Sequence, residues 1–288
     1  MARLIGLTTT PAARDLDEDY APLAAALDRL GFTADAPAWD DPAVDWRRYA
    51  LVLLRSTWNY TEDLDAFLDW ATRVSRVTRL LNGVDTVRWS TDKRYLLELD
   101  RAGVPIVPSA IAAPGETWSP PAAADFVVKP SVGAGSRGAR RFQADETAAA
   151  RAHALRLHAA GYHTLTQPYL HSVEANGETA LMFIEGEFSH GVRKGPLLAA
   201  GGGEVEGLFA SESIEPRRPG ADELSVANRA VAAIPGEPPL YARVDLIRDD
   251  TGRPRVLELE LAEPTLFFAH GPGSADRFAR AVAARLGL

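Results

Sequence analysis

The chain contains no cysteine. That excludes disulfides, thiolate nucleophiles and cysteine-ligated zinc or iron–sulfur centres. It also lacks any run of about 18 apolar residues, so no membrane span is expected. The opening Met1-Ala2-Arg3-Leu4-Ile5-Gly6-Leu7 is too short for the apolar core of a secretory leader and reads as a first β-strand, in keeping with a cytoplasmic protein. An excess of positive charge is missing too. The formal net charge is −8, which speaks against a nucleic-acid surface built on a basic stripe. Lysine is nearly absent, occurring only at Lys93, Lys129 and Lys194 in a chain that otherwise chooses arginine. A compact ammonium is the better point charge at a phosphate, so these positions are candidates for anion binding. Lys129 ends an apolar strand, where an unpaired ammonium is costly to desolvate, and Lys93 falls in the first turn of a predicted helix, where the helix dipole disfavours a cation.

What is present is an ordinary soluble composition, 46% hydrophobic and 24% charged over 288 residues, long enough for two domains or one domain with lobes. Residues 3–8 and the apolar run 49–55 read as strands, 20–30 and 63–76 as helices, and 79–82 as a further short strand. This is a βαβ domain over 1–85. A helix from Ser90 to Ala102 stops at Gly103 and Pro105. The stretch 125–130 is a strand, 139–142 is strand-like, 146–160 is a helix and 164–170 a strand with a break. The second domain is thus set at 86–166. From 167 to 288 the pattern becomes mainly antiparallel, with strands at 179–185, 187–193, 242–247 and 255–261, a mobile loop at 199–203 and a closing helix at 275–286.

The segment Leu257-Glu258-Leu259-Glu260-Leu261 alternates strictly, so as a strand it projects Glu258 and Glu260 from one face and the three leucines from the other. Adjacent carboxylates repel, and a divalent cation would remove the repulsion. The alternative is a half-buried strand with a solvated acidic face. Upstream, Arg243-Val244-Asp245-Leu246-Ile247 and the turn-rich 248–254 complete a hairpin that would lay Arg243 and Asp245 beside Glu258 and Glu260, the outline of a metal–phosphate site. Gly133-Ala134-Gly135-Ser136-Arg137-Gly138 has dinucleotide-fingerprint spacing, but 139–143 does not read as a helix start. A glycine loop joining two strands, covering a nucleoside triphosphate with its backbone N–H groups, fits better.

Taken in order, these segments resemble the ATP-grasp superfamily of carboxylate–amine ligases. The resemblance implies an α/β (α+β) fold of three lobes, with the nucleotide between the central and C-terminal ones. Asp92-Lys93 and Val127-Val128-Lys129-Pro130 resemble the two nucleotide lysines, followed by the loop of Gly133, Gly135, Ser136 and Gly138. Gln167-Pro168-Tyr169-Leu170 is similar to the hinge that meets adenine, with Glu174 or Glu178 on ribose. Ala242-Arg243-Val244-Asp245 and Glu258-Leu259-Glu260-Leu261-Ala262-Glu263-Pro264 resemble the catalytic arginine and the magnesium ligands Asp245, Glu258 and Glu260, where Glu260 replaces the family's asparagine. The resemblance implies ATP, one or two Mg²⁺, and phosphorylation of a substrate carboxylate followed by attack of nitrogen on the acyl phosphate. Arg55-Ser56-Thr57-Trp58-Asn59-Tyr60 and the Leu-Glu-Leu ending resemble the small stand-alone ligases of antibiotic pathways, among them the cyclo-ligases that close O-ureido-D-serine to D-cycloserine. That implies a small amino-acid-derived substrate met by Arg55, Ser56, Trp58 and Tyr60, with Arg193 as a second catalytic guanidinium, in a monomer or homodimer. An intermolecular amino-acid or peptide ligase and a non-catalytic ATP-binding module are the competing readings. Trp58 and Tyr60 could equally be interlobe packing, and His190 reads as a satisfied structural histidine.

Overall fold

The computed structural model describes residues 3–121, 124–196, 198 and 213–288. The loop expected at 199–203 therefore lies outside the described residues. The chain begins with β1 (Arg3–Thr9), α1 (Tyr20–Asp28), β2 (Phe32–Asp35), β3 (Leu51–Ser56), α2 (Leu64–Ser75) and β4 (Leu80–Leu81), whose strands form a parallel sheet of order β2-β1-β3-β4. The buried apolar run of β3 drives this arrangement, since both faces of a parallel strand must be covered. One face packs on α1. The other packs on an aromatic layer in which Phe67 and Trp70 of α2 stack at 5.4 Å and meet Trp39 edge-on. Strand β2, only four residues long, carried too little alternation to be seen in the sequence.

The helix expected over 90–102 is shorter, α4 (Tyr95–Arg101), and a separate helix α3 (Val84–Ser90) precedes it across a break. The break has local causes. The Asp92 carboxylate accepts from the Arg94 N–H, and the Lys93 N–H donates to the Ser131 carbonyl at 2.8 Å, which pulls this turn onto the neighbouring lobe. Lys93 thus precedes a helix rather than occupying its first turn. Next come β5 (Ala110–Ala112), β6 (Phe126–Pro130), β7 (Arg140–Phe142), α5 (Thr147–Ala159) and β8 (Thr164–Pro168), in an antiparallel sheet of order β5-β8-β6-β7. The glycine loop joins β6 to β7, two antiparallel strands, which rules out the strand–helix fingerprint.

The last portion holds α6 (Ser172–Asn176), β9 (Glu178–Ile184), β10 (Glu187–Lys194), β11 (Ile214–Pro216), α7 (Ala221–Ala232), β12 (Tyr241–Arg248), β13 (Pro254–Glu260) and α8 (Ser274–Arg285). Its sheet is antiparallel in the order β11-β10-β9-β12-β13. Helix α7 was missed in the sequence although Glu223 caps its own N-terminus and Val226, Ala227 and Ala230 recur at helical spacing. Helix α8 returns to pack on α1, so the chain's end closes the first lobe: Phe278 and Val282 share a core with Leu23 and Leu27. No helix among the described residues is long and apolar enough to cross a membrane.

The hairpin β12–β13 has the expected register, Arg243 opposite Glu260 and Asp245 opposite Glu258. It departs from strict alternation at one point. Leu246 pairs with Val256, leaving Leu257 as the extra residue of a β-bulge. A bulge puts two neighbouring side chains on one face. Leu257 consequently joins Glu258 and Glu260 on the cavity side, whereas the sequence pattern had assigned it to the opposite face.

Candidate active site

A cavity of about 480 Å³ opens between the second and third sheets. Its two ends differ in chemistry. One end is apolar, where Val107 and Val127 pack with Tyr169, Leu170, Val173 and Ile247, and Leu257 leans on this cluster through the bulge. The other end gathers Lys93, Lys129, Lys194 and Arg243 with Glu258 and Glu260. An apolar end continuous with a cationic end has the chemistry of a site for a nucleobase carrying phosphates.

The three lysines differ in their partners. Lys93 pairs with Glu258 at 2.9 Å and donates to the Gly133 carbonyl at 2.6 Å. Despite burial, the Glu258 carboxylate holds its pKa above the ordinary lysine value. Lys194 bridges Asp245 at 2.8 Å and Glu178 at 3.0 Å. Lys129 makes no ion pair with any described residue, and burial lowers its pKa. It is a desolvated cation facing open cavity, a position that an anionic ligand would complete.

On the carboxylate side, Asp245 receives both oxygens' worth of bonds from cations: Arg243 donates at 2.8 and 2.9 Å and Lys194 at 2.8 Å. Against the cost of burial these neighbours bring its pKa down to about 2. Arg243 also donates to Glu260 and, at 3.2 Å, to the Thr265 carbonyl, and its guanidinium lies over the Phe267 ring. Burial outweighs Arg243 at Glu260 and, with Glu258, Asp245 and Glu263 nearby, pushes that carboxyl up to about 8. Glu258 moves the other way. Lys93 and Lys129 overcome its burial and hold it below the usual carboxylate range.

The donor set suits a hard cation such as Mg²⁺, since Glu258 and Glu260 both present oxygens to the cavity and crowd each other electrostatically. No three acidic or imidazole groups among the described residues are already clustered to hold an ion. The reason is that Asp245, the third expected ligand, spends its oxygens on Arg243 and Lys194 and does not reach the cavity wall.

The glycine loop is held down more firmly than its composition implies. Gly133, Gly135 and Ser136 face the cavity, whereas Gly138 turns the loop's base with φ +69°, where a Cβ would stand 3.2 Å from the Pro130 ring. Val132 and Ala134 pack on the aromatic layer of the first lobe. Arg137 reaches across to the 3₁₀ turn Trp58–Glu62, donating to the Trp58 carbonyl, the Thr61 hydroxyl and the Glu62 carboxylate at 2.6–2.9 Å.

The hinge residues Gln167, Pro168, Tyr169 and Leu170 all line the cavity, and so does Trp58. Several expected residues do not. Glu174 is taken by Arg141 at 3.0 Å and by the Tyr169 hydroxyl, while Glu178, the alternative for ribose, lines the cavity beside Lys194. Arg193 points away, its Nε donating to the Asn176 carbonyl at 2.9 Å, because adjacent residues of β10 alternate faces and Lys194 takes the inward one. Arg55 is only 2% exposed. It donates to Asp19 at 3.0 Å and to the Pro264 carbonyl at 3.1 Å. Asp19 in turn accepts from the Leu266 and Phe268 N–H groups, so Arg55 braces the loop after β13 from behind rather than meeting a ligand. Ser56 donates to the Thr9 hydroxyl at 2.7 Å and faces a separate small cavity of about 270 Å³. Tyr60 is buried behind the wall against Glu263. His190 is structural: it bonds the Leu266 carbonyl at 2.8 Å and packs so closely on Gly271 that a Cβ there would collide with its ring.

The sequence reading missed Arg137, Glu263 and, apart from Tyr169 and Leu170, the apolar wall, and noted Lys194 only for its rarity. Glu263 sat in the quoted segment but outside the alternation that drew attention to Glu258 and Glu260. Arg137 was hidden among glycines.

This lobe arrangement, with a nucleotide-shaped cavity between two antiparallel sheets, is that of an ATP-grasp ligase, an enzyme class that forms C–N bonds. A solved structure of ATP-grasp ligase PsnB, complexed with a phosphomimetic variant of minimal precursor, Mg and ADP, superposes with a TM-score of 0.65 at 20% identity, covering 98% of both chains. Residues 5–82 match the N-terminal domain of D-cycloserine synthetase DcsG. The cycloserine biosynthesis protein DcsG of Streptomyces lavendulae is 38% identical over 98% of this chain and 99% of its own. The crystal structure of D-cycloserine synthetase DcsG superposes with a TM-score of 0.91, at 38% identity and 98% and 99% coverage. The chain belongs to the DcsG family of ATP-grasp ligases.

Proposed function

We propose that this protein closes O-ureido-D-serine to D-cycloserine at the expense of ATP. The observation that carries this reading is the near-full-length match to D-cycloserine synthetase DcsG, which includes the first lobe, over a cavity with an intact cationic end. The adenine would occupy the apolar slot along 167–170, with Glu178 rather than Glu174 on ribose. Lys93 and Lys129 would pair with the phosphates under the glycine loop. Glu258 and Glu260 would hold Mg²⁺, and Asp245 would join them by giving up a cationic partner. Bound there, one or two such ions would neutralise the β- and γ-phosphates.

The substrate carboxylate attacks the γ-phosphorus. A C–O–P bond forms, the bond to the β-phosphate breaks, and ADP leaves. Arg243 stabilises the charge on the transferring group, from which most of the acceleration derives. The nitrogen bonded to oxygen in the ureido group then attacks the acyl carbon of the same molecule, and phosphate leaves. The N–H proton passes to a base or solvent. The carbamoyl group is lost with one water as carbon dioxide and ammonia, which balances the atoms. Attack within one molecule gains from effective molarity, provided the pocket folds the substrate. Water must be kept from the acyl phosphate until the nitrogen has attacked, and Arg137 contributes by fastening the glycine loop to the first lobe.

We take the working division of the chain as 1–85, 86–166 and 167–288, and read the enzyme as cytoplasmic, a monomer or homodimer, without nucleic-acid partners. The deciding assay supplies O-ureido-D-serine, ATP and Mg²⁺ alone. ADP, phosphate and D-cycloserine should appear in equal amounts. ADP formation that waits on a second amine would overturn the cyclising reading in favour of an intermolecular ligase, and no turnover with any acceptor would favour a binding module.

A further inference from the structure

An amino-acid substrate brings a cation of its own. Its ammonium is separated from the reacting carboxylate by a single carbon, so whatever recognises it must stand close to the phosphoryl-transfer end of the cavity. The carboxylates on that wall are mostly spoken for. Glu258 pairs with Lys93, Glu260 with Arg243 and Glu178 with Lys194. Glu18 is exposed on the loop opposite. Glu263 remains: it lines the cavity, is 7% exposed, and has no ion-pair partner among the described residues.

Glu263 is also held in place. The Tyr60 phenol stands beside its carboxylate, and the Trp58 indole N–H donates to its backbone carbonyl at 3.1 Å. Both come from the 3₁₀ turn Trp58–Glu62, to which Arg137 fastens the glycine loop. Arg55 fixes the next residue through the Pro264 carbonyl. A buried carboxylate with a neutral phenol beside it and no ion pair is an incomplete arrangement, and an ammonium would complete it. We propose that Glu263, seated by Tyr60 and Trp58, is the anchor for the α-ammonium of the amino-acid substrate. This rests on the ligase reading above and names the group that reads the substrate's amine. Burial, with Glu258 nearby, pushes the Glu263 carboxyl up to about 7 against the pull of Tyr60, Lys93 and Arg243, so its neighbours do not fully compensate the anion.

The test compares O-ureido-D-serine with the analogue that keeps the carboxylate and ureido-oxy groups but lacks the amine. Dissociation constants are measured by calorimetry with Mg²⁺ and a non-hydrolysable ATP analogue present. The wild type should bind the amino compound on the order of 30-fold or more tighter than the analogue, because the anchor is left unpaired by the latter. Glu263→Gln should bind the two nearly alike, with affinity for the nucleotide unchanged. Tyr60→Phe, which keeps the ring's packing, should narrow the preference several-fold and serves if Glu263→Gln does not fold. If either folded variant loses affinity for both compounds equally, the anchor assignment is overturned. A wild type that binds the amino compound selectively yet makes no D-cycloserine would remove the ligase reading and leave the anchor standing.

Discussion

Arg55 and Lys129 carry the same sign of charge and have opposite situations. Arg55 is paired with Asp19 in the interior, and removing it leaves that carboxylate buried with only backbone donors. Arg55→Ala should therefore cost about 3–5 kcal/mol of stability in urea denaturation, while the folded fraction keeps its KM for substrate. A raised substrate KM with unchanged stability would return Arg55 to the binding set. Lys129 has no ion pair to lose in the free protein, so Lys129→Ala should leave the melting temperature within a few degrees and raise the KM for ATP by roughly tenfold or more. If the acceptor KM moves instead, Lys129 is not on the nucleotide. Glu258 combines both roles. Glu258→Gln removes the partner of Lys93 as well as a hard-metal ligand, so turnover at ordinary Mg²⁺ should fall by about a hundredfold or more, with a stability loss of at most about 3 kcal/mol since the carboxylate is partly exposed. Near-normal activity would sink the metal assignment.

At the scale of elements, two pieces of β structure make the site. The β12–β13 hairpin sets Arg243, Asp245, Glu258 and Glu260 on one face by register alone, and its bulge adds Leu257 to the apolar slot. The glycine loop between β6 and β7 lines the cavity at its cationic end. Glycine composition by itself leads one to expect a freely mobile loop. Val132, Ala134 and the three bonds of Arg137 dock it on the first lobe instead. Arg137→Ala should consequently speed hydrogen exchange across 131–138 in the free protein and raise the KM for ATP several-fold, with exchange slowing again when an ATP analogue binds. Exchange unchanged by both the substitution and the nucleotide would count against a cover held from the first lobe.

The cavity wall and the layer just behind it gather the carboxyls Asp245, Glu260 and Glu263, and the pH response of the whole molecule follows. Glu260 and Glu263 are raised to about 8 and about 7, so the folded state keeps protons that the unfolded chain has released. Their contribution is complete below about pH 4.5 and is lost as pH rises through 7 and 8. Asp245 is lowered to about 2 and contributes the other limb, present above the unfolded carboxylate pKa and lost as pH falls toward 2. The ligand-free protein should melt at lower temperature at pH 8.5 than at pH 6. ADP with Mg²⁺ should flatten that decline by supplying the positive charge the carboxylates lack. A melting temperature that rises from pH 6 to 8.5 without ligand would contradict the assignment of these two carboxyls.

Local pattern carried the parts of this protein that depend on neighbours in the chain. Period-two alternation placed Glu258 and Glu260 together, the turn at 248–254 foretold their hairpin with Arg243 and Asp245, and three glycines between two strands marked a loop that lines the cavity. The order of these segments then identified the fold. Spatial neighbours distant in sequence were illegible. Nothing local distinguishes Arg55, bound to Asp19 and Pro264, from an arginine that meets substrate, or tells that Arg193 faces away while Lys194 faces in. The same holds for Glu263, whose meaning comes from Tyr60 and Trp58 some two hundred residues earlier. Covalent neighbours fix the direction in which a strand side chain points. Only packing of separate lobes decides whether that direction leads to water, to a counter-charge or to an open cavity, because burial and pairing are properties of the assembled core.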